Sequence, residues 1–335
     1  MKLLTVTVPC YNSQDYMEKC LDSLLAGGER VEIIVINDGS RDRTGAIADA
    51  YAAQYPSIVR VIHQENGGHG EGINQGLKAA TGHYFKVVDS DDVVSEDFPG
   101  FLDTLENCRR EQVDLVLTNY YYVHSDGKGD KSLHYTNALP VDRIFGWESV
   151  GSFQPYQLLT IHSCTFRTEA MRKWSQELPK HVFYEDNLMV YQTLPHVQRM
   201  YYRNIDLYRY WIGRPDQSVQ RNVMMQRYRH QLLVTRMCFT ACHLDDLPQK
   251  RLRKYLRHEL FVMFGISMLY ARLNRTAEAD AAMEELFDQC RSFDKKWADH
   301  FRYRSVLRFL CIPGKFGQDF AEFIYNTCNK ILRFN

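Results

Sequence analysis

The stretch Tyr84-Phe85-Lys86-Val87-Val88-Asp89-Ser90-Asp91-Asp92 places three carboxylates directly after a run with the composition of a buried strand. Adjacent like charges repel one another, and such a cluster usually persists because a cation neutralises it. Oxygen ligands favour Mn²⁺ or Mg²⁺, which takes one or two carboxylates and completes its coordination with diphosphate and water. The stretch therefore predicts a divalent metal site at a strand end. An acidic loop that caps the helix after Ser95 is the alternative interpretation.

Apolar, β-branched runs alternate with helical patterns on both sides of this stretch. The predicted strands are Leu3–Val8, Val31–Ile36, Ile58–Ile62, Tyr84–Val88 and Val113–Thr118. The predicted helices are Asp15–Leu25, Ser40–Tyr55 and Glu71–Ala80. Runs without polar alternation are typical of strands buried on both faces. Repeated βα units predict an α/β fold with a doubly wound, mostly parallel sheet, whose ligands bind beyond the carboxyl ends of the strands.

The pattern changes after residue 118. Residues 119–157 are rich in Tyr, Gly, Ser and Asp and predict an irregular insertion that faces the substrate. A strand at Leu158–Phe166, a helix at Arg167–Trp174 and a helix that begins at Glu185 are expected next. From Val223 onward the chain is mainly helical, with breaks at Pro248, Asn274 and Pro313-Gly314. We therefore predict two domains, residues 1–220 and a helical C-terminal region at 221–335.

Composition limits the classes of function. Lys+Arg and Asp+Glu both number 41, so the chain lacks the basic excess of a general nucleic-acid binder. The nine cysteines include no CxxC pair, which is typical of reduced thiols in a cytosolic protein. Met1-Lys2 leads straight into a strand pattern, so no secretory signal is expected. The longest apolar stretch, Leu260–Ala271, is shorter than the about 20 residues that cross a bilayer. We expect a cytoplasmic protein, either soluble or associated with the inner face of a membrane.

Two short motifs follow the first two predicted strands. Pro9-Cys10-Tyr11-Asn12 stands where a nicotinamide or flavin enzyme would carry a glycine-rich turn, so that class is disfavoured. Tyr11 is suited to line a flat base and Asn12 to cap the helix, although a plain strand-to-helix turn explains them equally well. In Asp38-Gly39-Ser40 the carboxylate can accept from a base or ribose, and the backbone amides can face a polar ligand. The alternative for this motif is a helix N-cap.

Three further segments carry candidate binding groups. Asn66-Gly67-Gly68-His69-Gly70-Glu71-Gly72 permits a nest of amides for phosphate oxygens, with a flexible surface turn as the alternative. Glu185-Asp186 offers a general base for an acceptor hydroxyl, or an acid favoured by the helix dipole. The loop 211–219 contains Arg214, whose guanidinium suits a diphosphate. A loop of this composition can close as a lid, and an ordinary surface loop is the alternative.

Taken in order, these motifs resemble the family-2 glycosyltransferases of the GT-A fold over roughly residues 3–220. The segments that carry the resemblance are TVTVPCYN (5–12), IIVINDGSRDRT (33–44), NQGLKAATG (74–82), VVDSDD (87–92) and YEDN (184–187). It implies a catalytic domain that binds a UDP-sugar donor. The implied donor-binding residues are Pro9, Tyr11, Asn12, Asp38, Gly39, Asn66, Gly68, Asp89, Ser90 and Arg214.

The resemblance also implies roles for four acids. Asp38 binds uracil, Asp89 lies near the ribose, Asp91 ligates the Mn²⁺ or Mg²⁺ that bridges the diphosphate, and Asp186 is the catalytic base. Asp92 keeps a supporting role. The implied reaction inverts the anomeric carbon and moves a sugar to a hydroxyl of a sugar, lipid-linked or glycolipid acceptor. The QxxRW motif of the processive synthases is absent, so we expect transfer of a single sugar in surface-polysaccharide or glycolipid assembly.

The chain departs from the family pattern at one position. The family commonly reads A-R-N where this chain has Gly72-Ile73-Asn74, so the arginine is missing at Ile73. His69 or Lys86 is a candidate to compensate, since a buried lysine normally needs an anionic partner. Two other functions remain open, a sugar nucleotidyltransferase and a non-catalytic nucleotide-sugar-binding subunit.

The end of the chain is basic. From residue 291 onward there are nine basic and four acidic side chains, a net charge of +5. Tyr303, Val306, Leu307 and Leu310 predict one face of an amphipathic helix. Such a helix can lie in an anionic membrane surface, pack on the catalytic domain or join a homo-oligomer.

Overall fold

The computed structural model describes residues 2–124, 130–155, 157–212 and 221–332. The chain divides into two compact units, 1–153 with 157–212, and 154–156 with 213–335. The predicted boundary at 220 lies in the stretch 213–220, which is outside the described residues, so the exact boundary stays a prediction.

The first unit is built on one ten-stranded sheet. Its strands are β1 (Leu4–Cys10), β2 (Val31–Asp38), β3 (Val59–Gln64), β4 (Tyr84–Val87), β5 (Val93–Val94), β6 (Leu115–His124), β7 (Lys131–Leu133), β8 (Ile144–Phe145), β9 (Cys164–Arg167) and β10 (Met200–Ile212). The order is β3-β2-β1-β4-β9-β6-β10-β5, with β7 beside β6 and β8 beside β10. The first four strands of this order are parallel, whereas β9 runs antiparallel to both neighbours. The predicted α/β fold is confirmed, with a mixed sheet beyond β4.

Helices cover the sheet and make up most of the second unit. Those of the first unit are α1 (Met17–Leu25), α2 (Thr44–Gln54), α3 (His69–Ala79), α4 (Phe98–Arg110), α5 (Thr168–Met171) and α6 (Glu185–Thr193). Those of the second are α7 (Arg221–Gln226), α8 (Tyr228–Ala241), α9 (Lys250–Asn274), α10 (Ala277–Phe293), α11 (Lys295–Asp299) and α12 (Lys315–Leu332). The predicted breaks at Pro248, Asn274 and Pro313-Gly314 are confirmed.

Close packing of α3 on β1 fixes one wall of the carboxyl edge of the sheet. Every residue of β1 and β2 is buried, as their continuous apolar runs predict. A Cβ atom added to Gly76 would lie 2.1 Å from Oγ1 of Thr7, and one added to Gly72 would lie 3.0 Å from Cβ of Pro9. Glycine at both positions therefore lets the helix backbone touch the strand.

Three local predictions were wrong. Residues 119–157 are not wholly irregular, because β6 continues to His124 and pairs with β10 along its length. The tyrosines of this segment favour a strand. Pairing with β10 therefore extends β6 into a segment whose Gly, Ser and Asp content had suggested turns. The strand predicted at Leu158–Phe166 is confined to Cys164–Arg167, and the helix predicted at Arg167–Trp174 to Thr168–Met171.

The basic end of the chain also differs from its prediction. Residues His300–Arg304 form a π-helical turn and Val306–Phe309 a 3₁₀ turn, so the predicted face does not lie on one α-helix. Tyr303 and Val306 are exposed, whereas Leu307 and Leu310 are buried. No helix among the described residues combines the length and the apolar composition that a bilayer-spanning segment requires.

Candidate functional site

The candidate site lies at the carboxyl ends of β1, β2, β3 and β4, where the loops after the four parallel strands meet. Asp38 is the centre of the first half of this edge. Its Oδ1 accepts hydrogen bonds from the Gly67 amide at 2.8 Å and from Nε2 of Gln64 at 2.7 Å, and its Oδ2 accepts from the Gly68 amide at 2.8 Å. Nδ2 of Asn66 donates to the Asp38 carbonyl at 3.0 Å. The structure thus brings the predicted residues Asp38, Asn66 and Gly68 together, and the Asp38 carboxylate shapes the glycine-rich loop.

Backbone conformation explains why this edge needs glycine. Gly39 has a φ of +70°, and a Cβ atom there would lie 2.8 Å from the Asn66 amide nitrogen. Gly68 has a φ of +85°, and a Cβ atom there would lie 2.9 Å from the His181 amide nitrogen. At either position a residue with a Cβ atom would have a strained backbone conformation. Its Cβ atom would also collide with the backbone of another segment.

Asn12 ties the end of β1 to the end of β2. Its Oδ1 accepts from the Arg41 amide at 2.9 Å, and its own amide donates to Oγ of Ser40 at 3.0 Å. Asn12 therefore does not cap α1, whose N-terminal cap residue is Tyr16. Tyr11 is 49% exposed beside it, which leaves its ring accessible to a ligand. Pro9, by contrast, is buried within β1.

The acidic stretch that follows β4 is held by residues far away in sequence. Nε2 of His69, the first residue of α3, lies 2.9 Å from Oδ1 of Asp89. Nδ1 of the same ring lies 2.7 Å from Oε1 of Glu185, the first residue of α6. Both partners are carboxylates, which only accept when ionised, so His69 carries both ring protons as an imidazolium. One cation thus bridges the acidic stretch and the predicted catalytic segment.

The pKa values of this bridge follow from its geometry. Burial alone would lower the pKa of His69, but its hydrogen bonds to Asp89 and Glu185 raise it well above the ordinary value. For Asp89, burial acts to raise the pKa, yet the hydrogen bond and charge of His69 lower it to about 2. Both groups are therefore charged at neutral pH.

Asp92 has a different environment from Asp89 and Asp91. It is fully buried, its Oδ2 accepts from the Tyr208 hydroxyl at 2.7 Å, and its Oδ1 accepts from the Trp211 amide at 2.9 Å. Burial, followed by the charges of Asp91 and Asp89, raises the pKa of Asp92 well above its ordinary value. Asp92 therefore anchors the acidic loop to β10. Ser90 is also buried and lies 2.8 Å from Ser13 between the hydroxyl oxygens.

The acidic loop fits a divalent cation. Ligand atoms of Asp89, Asp92 and His162 all lie within 4.8 Å of one another. Burial contributes most to the raised pKa of Asp92, and the charges of Asp91 and Asp89 add a repulsion that a bound cation would relieve. In this set the carboxylate oxygens suit Mn²⁺ or Mg²⁺, whereas an imidazole nitrogen is more typical of zinc, copper, iron or nickel. Asp91, the predicted ligand, is half-buried in the same turn.

Asp186 lies in the first turn of α6, directly after Glu185. It is half-buried, and burial followed by the charge of Glu185 raises the pKa of Asp186 to about 7. A carboxylate with that pKa is a better proton acceptor at neutral pH than an ordinary aspartate. The raised pKa is compatible with a general base, and the catalytic role of Asp186 stays a prediction.

The segment that carries Asp186 is fixed to the glycine-rich loop. Nδ2 of Asn74 donates to the Leu178 carbonyl at 2.9 Å, and its Oδ1 accepts from the Leu178 amide at 3.1 Å. The His181 amide donates to the Gly67 carbonyl at 2.8 Å. Tyr184, with a φ of +71°, is in the left-handed region, where Nδ2 of Asn187 donates to its carbonyl at 2.9 Å. This conformation is rare for a side chain of that size and is held by the surrounding contacts.

Sequence reasoning missed several residues that organise the site. Tyr208 contacts both Asp89 and Asp92 through its hydroxyl, but nothing in its sequence neighbourhood indicates that contact. His162 likewise became recognisable only once the chain had folded, and so did the contact between Glu185 and His69. Lys86, predicted as a substitute for the missing arginine, donates to the carbonyls of His162 at 2.8 Å and Cys164 at 3.3 Å. Arg214 lies outside the described residues.

The position of the missing arginine is buried. Ile73 is fully buried in α3, so its side chain belongs to the core of the first unit. His69 stands one helical turn before it on the same face. Of the two candidate substitutes, His69 is the one that contacts an acid of the candidate site.

Comparison with known proteins identifies related sequences and a related fold. A family model for Glycosyl transferase family 2 matches residues 5–177. Glycosyltransferase GlyG of Streptococcus pneumoniae is 41% identical over 130 residues, which are 38% of this chain and 42% of GlyG. The minor teichoic acid biosynthesis protein GgaB of Bacillus subtilis is 31% identical over 166 residues, 48% of this chain and 17% of GgaB. The aligned part thus spans less than half the length of either relative.

A solved structure supports the fold over almost the whole chain. The crystal structure of S. aureus TarS 1–349 in complex with UDP-GlcNAc superposes with a TM-score of 0.69 and 18% sequence identity. The match covers 98% of this chain and 92% of the TarS chain. It establishes that the chain has a GT-A-like fold.

Proposed function

Because the chain belongs to Glycosyl transferase family 2, we propose that it is a glycosyltransferase that transfers a single sugar from a UDP-sugar to an acceptor hydroxyl. The reaction is inverting and depends on a divalent metal. The observation that carries the proposal is the pairing of two acidic centres through one histidine, the loop at Asp89 and the helix start at Glu185-Asp186. Donor activation needs the first centre, and acceptor activation needs the second.

The donor occupies the carboxyl edge of the sheet. Support comes from the exposed ring of Tyr11, which can lie against a base, and from Asp38, whose Oδ2 accepts from the Gly68 amide and has a second lone-pair site beside the glycine-rich loop. Uracil recognition by Asp38, ribose contact at Asp89 and diphosphate contact by Arg214 are parts of the proposal. TarS, the structural relative, was solved with UDP-GlcNAc, and this favours a UDP-sugar.

Mn²⁺ or Mg²⁺ is held by the acidic loop. We assign Asp91 as its ligand, because Asp91 is half-buried in the loop, whereas Asp92 is fully buried and anchors the loop to Tyr208 and Trp211. Asp89 keeps its charge through His69 and completes the negative surroundings. When bound, the ion neutralises the diphosphate of the leaving group.

Asp186 accepts the proton of the acceptor hydroxyl. The acceptor oxygen forms a bond to the anomeric carbon as the bond from that carbon to the UDP oxygen breaks, so the configuration inverts. The proton ends on the Asp186 carboxylate and the bonding pair leaves with UDP. With a pKa of about 7, about half of Asp186 is ionised at pH 7, and that carboxylate is a stronger base than an ordinary aspartate.

The acceptor belongs to a surface polysaccharide or glycolipid. The relative GgaB takes part in minor teichoic acid biosynthesis, and this supports a polymer or lipid-linked acceptor. Contact with the inner face of the membrane is part of the proposal. Its support is the pair Phe316 and Phe323, which are 60% and 66% exposed, together with the exposed cations Arg308 and Lys315.

Vesicle sedimentation tests the membrane contact. The protein should sediment with phosphatidylglycerol vesicles but not with phosphatidylcholine vesicles, and Phe316→Ser with Phe323→Ser should abolish this binding. Equal recovery in the supernatant with both lipids would contradict it. A concentration-dependent molecular mass that falls in the same variant would assign these residues to a homo-oligomer instead.

A donor screen tests the catalytic proposal. UDP release is measured over a panel of UDP-sugars with Mn²⁺ or Mg²⁺, with mixed glycoside acceptors, for the wild-type protein and for Asp91→Asn and Asp92→Asn. Asp91→Asn should remove metal-dependent UDP binding in calorimetry, whereas Asp92→Asn should mainly lower the melting temperature. Unchanged metal dependence in Asp91→Asn would refute the ligand assignment. Donor binding without sugar transfer to any acceptor would indicate a non-catalytic subunit.

A further inference from the structure

A set of aromatic rings lies beside the acidic loop, and one of them, Tyr208, anchors that loop through Asp92. The parallel register of β6 and β10 pairs Tyr120 with Tyr208 and Tyr122 with Tyr210. Because side chains alternate along a strand, these four rings share one face of the sheet, whereas Tyr121 points to the opposite face. The Tyr208 hydroxyl contacts Asp92 and Asp89, so the shared face is the one that carries the candidate site.

His162 joins the tyrosines into a continuous stack. Its ring centroid lies 4.7 Å from that of Tyr208 and 4.7 Å from that of Tyr210, the second pair being nearly parallel at 27°. The Tyr122 and Tyr210 centroids are 5.6 Å apart. The rings therefore form one surface and not isolated side chains.

Exposure changes in one direction across this surface. Tyr208 and Tyr120 are only 1% and 6% exposed and form its base. Tyr122, His162 and Tyr210 are half-buried, so this end of the stack is partly exposed. We call these three residues the aromatic ledge.

Contacts below the ledge hold it rigidly next to the acidic loop. The ammonium group of Lys86 donates to the His162 carbonyl at 2.8 Å and lies 5.4 Å from the Tyr208 ring centroid. A ring nitrogen of His162 is within 4.8 Å of carboxylate oxygens of Asp89 and Asp92. Asp89 therefore contacts Tyr208, which lies at the base of the ledge. It also contacts His69, which in turn contacts Glu185 next to Asp186.

We propose that the aromatic ledge binds the acceptor as a pyranose ring, placed over Tyr122, His162 and Tyr210. This inference rests on the proposed function, since it supplies the acceptor subsite of the same reaction. A pyranose presents an apolar face of C–H groups and a rim of hydroxyls. The aromatic carbons of the ledge match the first, and the tyrosine hydroxyls match the second.

One polar atom of the ledge lacks a partner. Nδ1 of His162 is buried and has no hydrogen-bond partner among the described residues. A buried polar atom without a partner costs about 1–3 kcal/mol. The His162 imidazole also belongs to the set of ligand atoms near Asp89 and Asp92, so the experiment has to distinguish a role at the metal from a role at the sugar.

Saturation-transfer NMR tests the ledge directly. The probes are methyl β-D-galactopyranoside and methyl N-acetyl-β-D-glucosaminide, each measured with and without UDP and Mn²⁺. Signal transfer to the sugar ring protons should fall at least fivefold in Tyr210→Ala and Tyr122→Ala. It should stay within twofold of the wild-type signal in Tyr210→Phe, which keeps the ring, and in Tyr121→Ala, the matched control on the opposite face.

Three outcomes would overturn the ledge. They are retention of the ring-proton signal in Tyr210→Ala, an equal loss in Tyr121→Ala, and the absence of signal for both glycosides in a wild-type protein that binds UDP. A further outcome is a tenfold loss of Mn²⁺ affinity in His162→Ala while the tyrosine variants keep their glycoside signals. That result would show that His162 is a metal ligand and would refute the proposal.

Failure of the proposed function would look different. In that case calorimetry detects no metal-dependent UDP binding by the wild-type protein, while the glycoside signals measured without UDP still report on the ledge. The two readouts therefore separate an incorrect donor site from an incorrect acceptor subsite.

Discussion

Lowering the pH from 8 to 6 should slow sugar transfer because it protonates Asp186. Burial and the neighbouring charge of Glu185 raise the pKa of Asp186 from 3.8 to about 7. A group with that pKa is about 90% ionised at pH 8 and about 10% at pH 6. If Asp186 is the base, kcat/KM at pH 6 should be roughly a tenth of its value at pH 8. An aspartate with an ordinary pKa would give a flat profile over this range.

Glu185→Gln tests whether the charge of Glu185 contributes to the raised pKa of Asp186. The amide oxygen can still accept from Nδ1 of His69, but the negative charge beside Asp186 is gone. The midpoint of the acidic limb should therefore move down by about one pH unit. Asp186→Asn should remove the limb and lower kcat/KM by about 10²–10⁴-fold.

The assay is kcat/KM for UDP release at saturating metal between pH 5.5 and 8.5, with UDP affinity measured at each pH as a control. A flat wild-type profile, or an unmoved midpoint in Glu185→Gln, would refute the reasoning. Stability provides a second readout. The folded state holds a proton on Asp186 that the unfolded chain releases above about pH 4, so this group makes stability fall as pH rises from about 4 to 7. Asp186→Asn should lose that contribution to the pH dependence of the melting temperature.

Three further predictions concern the residues that shape the site. Gly68→Ala should destabilise the fold by about 3 kcal/mol in urea denaturation, because its φ of +85° and the His181 amide at 2.9 Å both exclude a Cβ atom. Gly28→Ala is the matched control, with a φ of +56° and open space around it, and should cost only about 1 kcal/mol; equal losses would show that the close contact is unimportant. Asn74→Ala should cost about 1–3 kcal/mol and lower kcat/KM, because it frees Leu178 and loosens the segment that carries Asp186; full activity would contradict this. Lys86→Met should leave UDP affinity within twofold of wild type in calorimetry, because Lys86 holds backbone carbonyls below the aromatic ledge; a tenfold loss would restore its role as the substitute for the missing arginine.

The parallel half of the fold was predictable because its signals are local. Continuous apolar runs identify β1, β2 and β4, and the loops after parallel strands must meet at one edge of the sheet. The mixed half was less predictable. β9 has four residues, and β6 owes its full length to pairing with β10, a strand that begins 76 positions after β6 ends. Strand length was set there by partners that no local pattern reveals.

The candidate site was predictable where one motif supplies its own chemistry. Asp89, Asp91 and Asp186 each stand in a short acidic motif at a predicted strand end or helix start. The connections between motifs were not predictable, because contacts such as the one between His69 and Glu185 join residues 116 positions apart. Asn12 shows the same limit: its side chain suits a local cap, yet the fold uses it to hold the Arg41 amide.

That separation along the chain has a consequence for biosynthesis. The region that matches the family ends at residue 177, before the glutamate that completes the histidine bridge and before the tyrosine that anchors the acidic loop. Closing so long a segment costs conformational entropy, and this cost is recovered only when the distant partners dock. A nascent chain can therefore fold its parallel strands on the ribosome well before it can catalyse anything. Activity should emerge late in synthesis, as the last step of assembling the first unit.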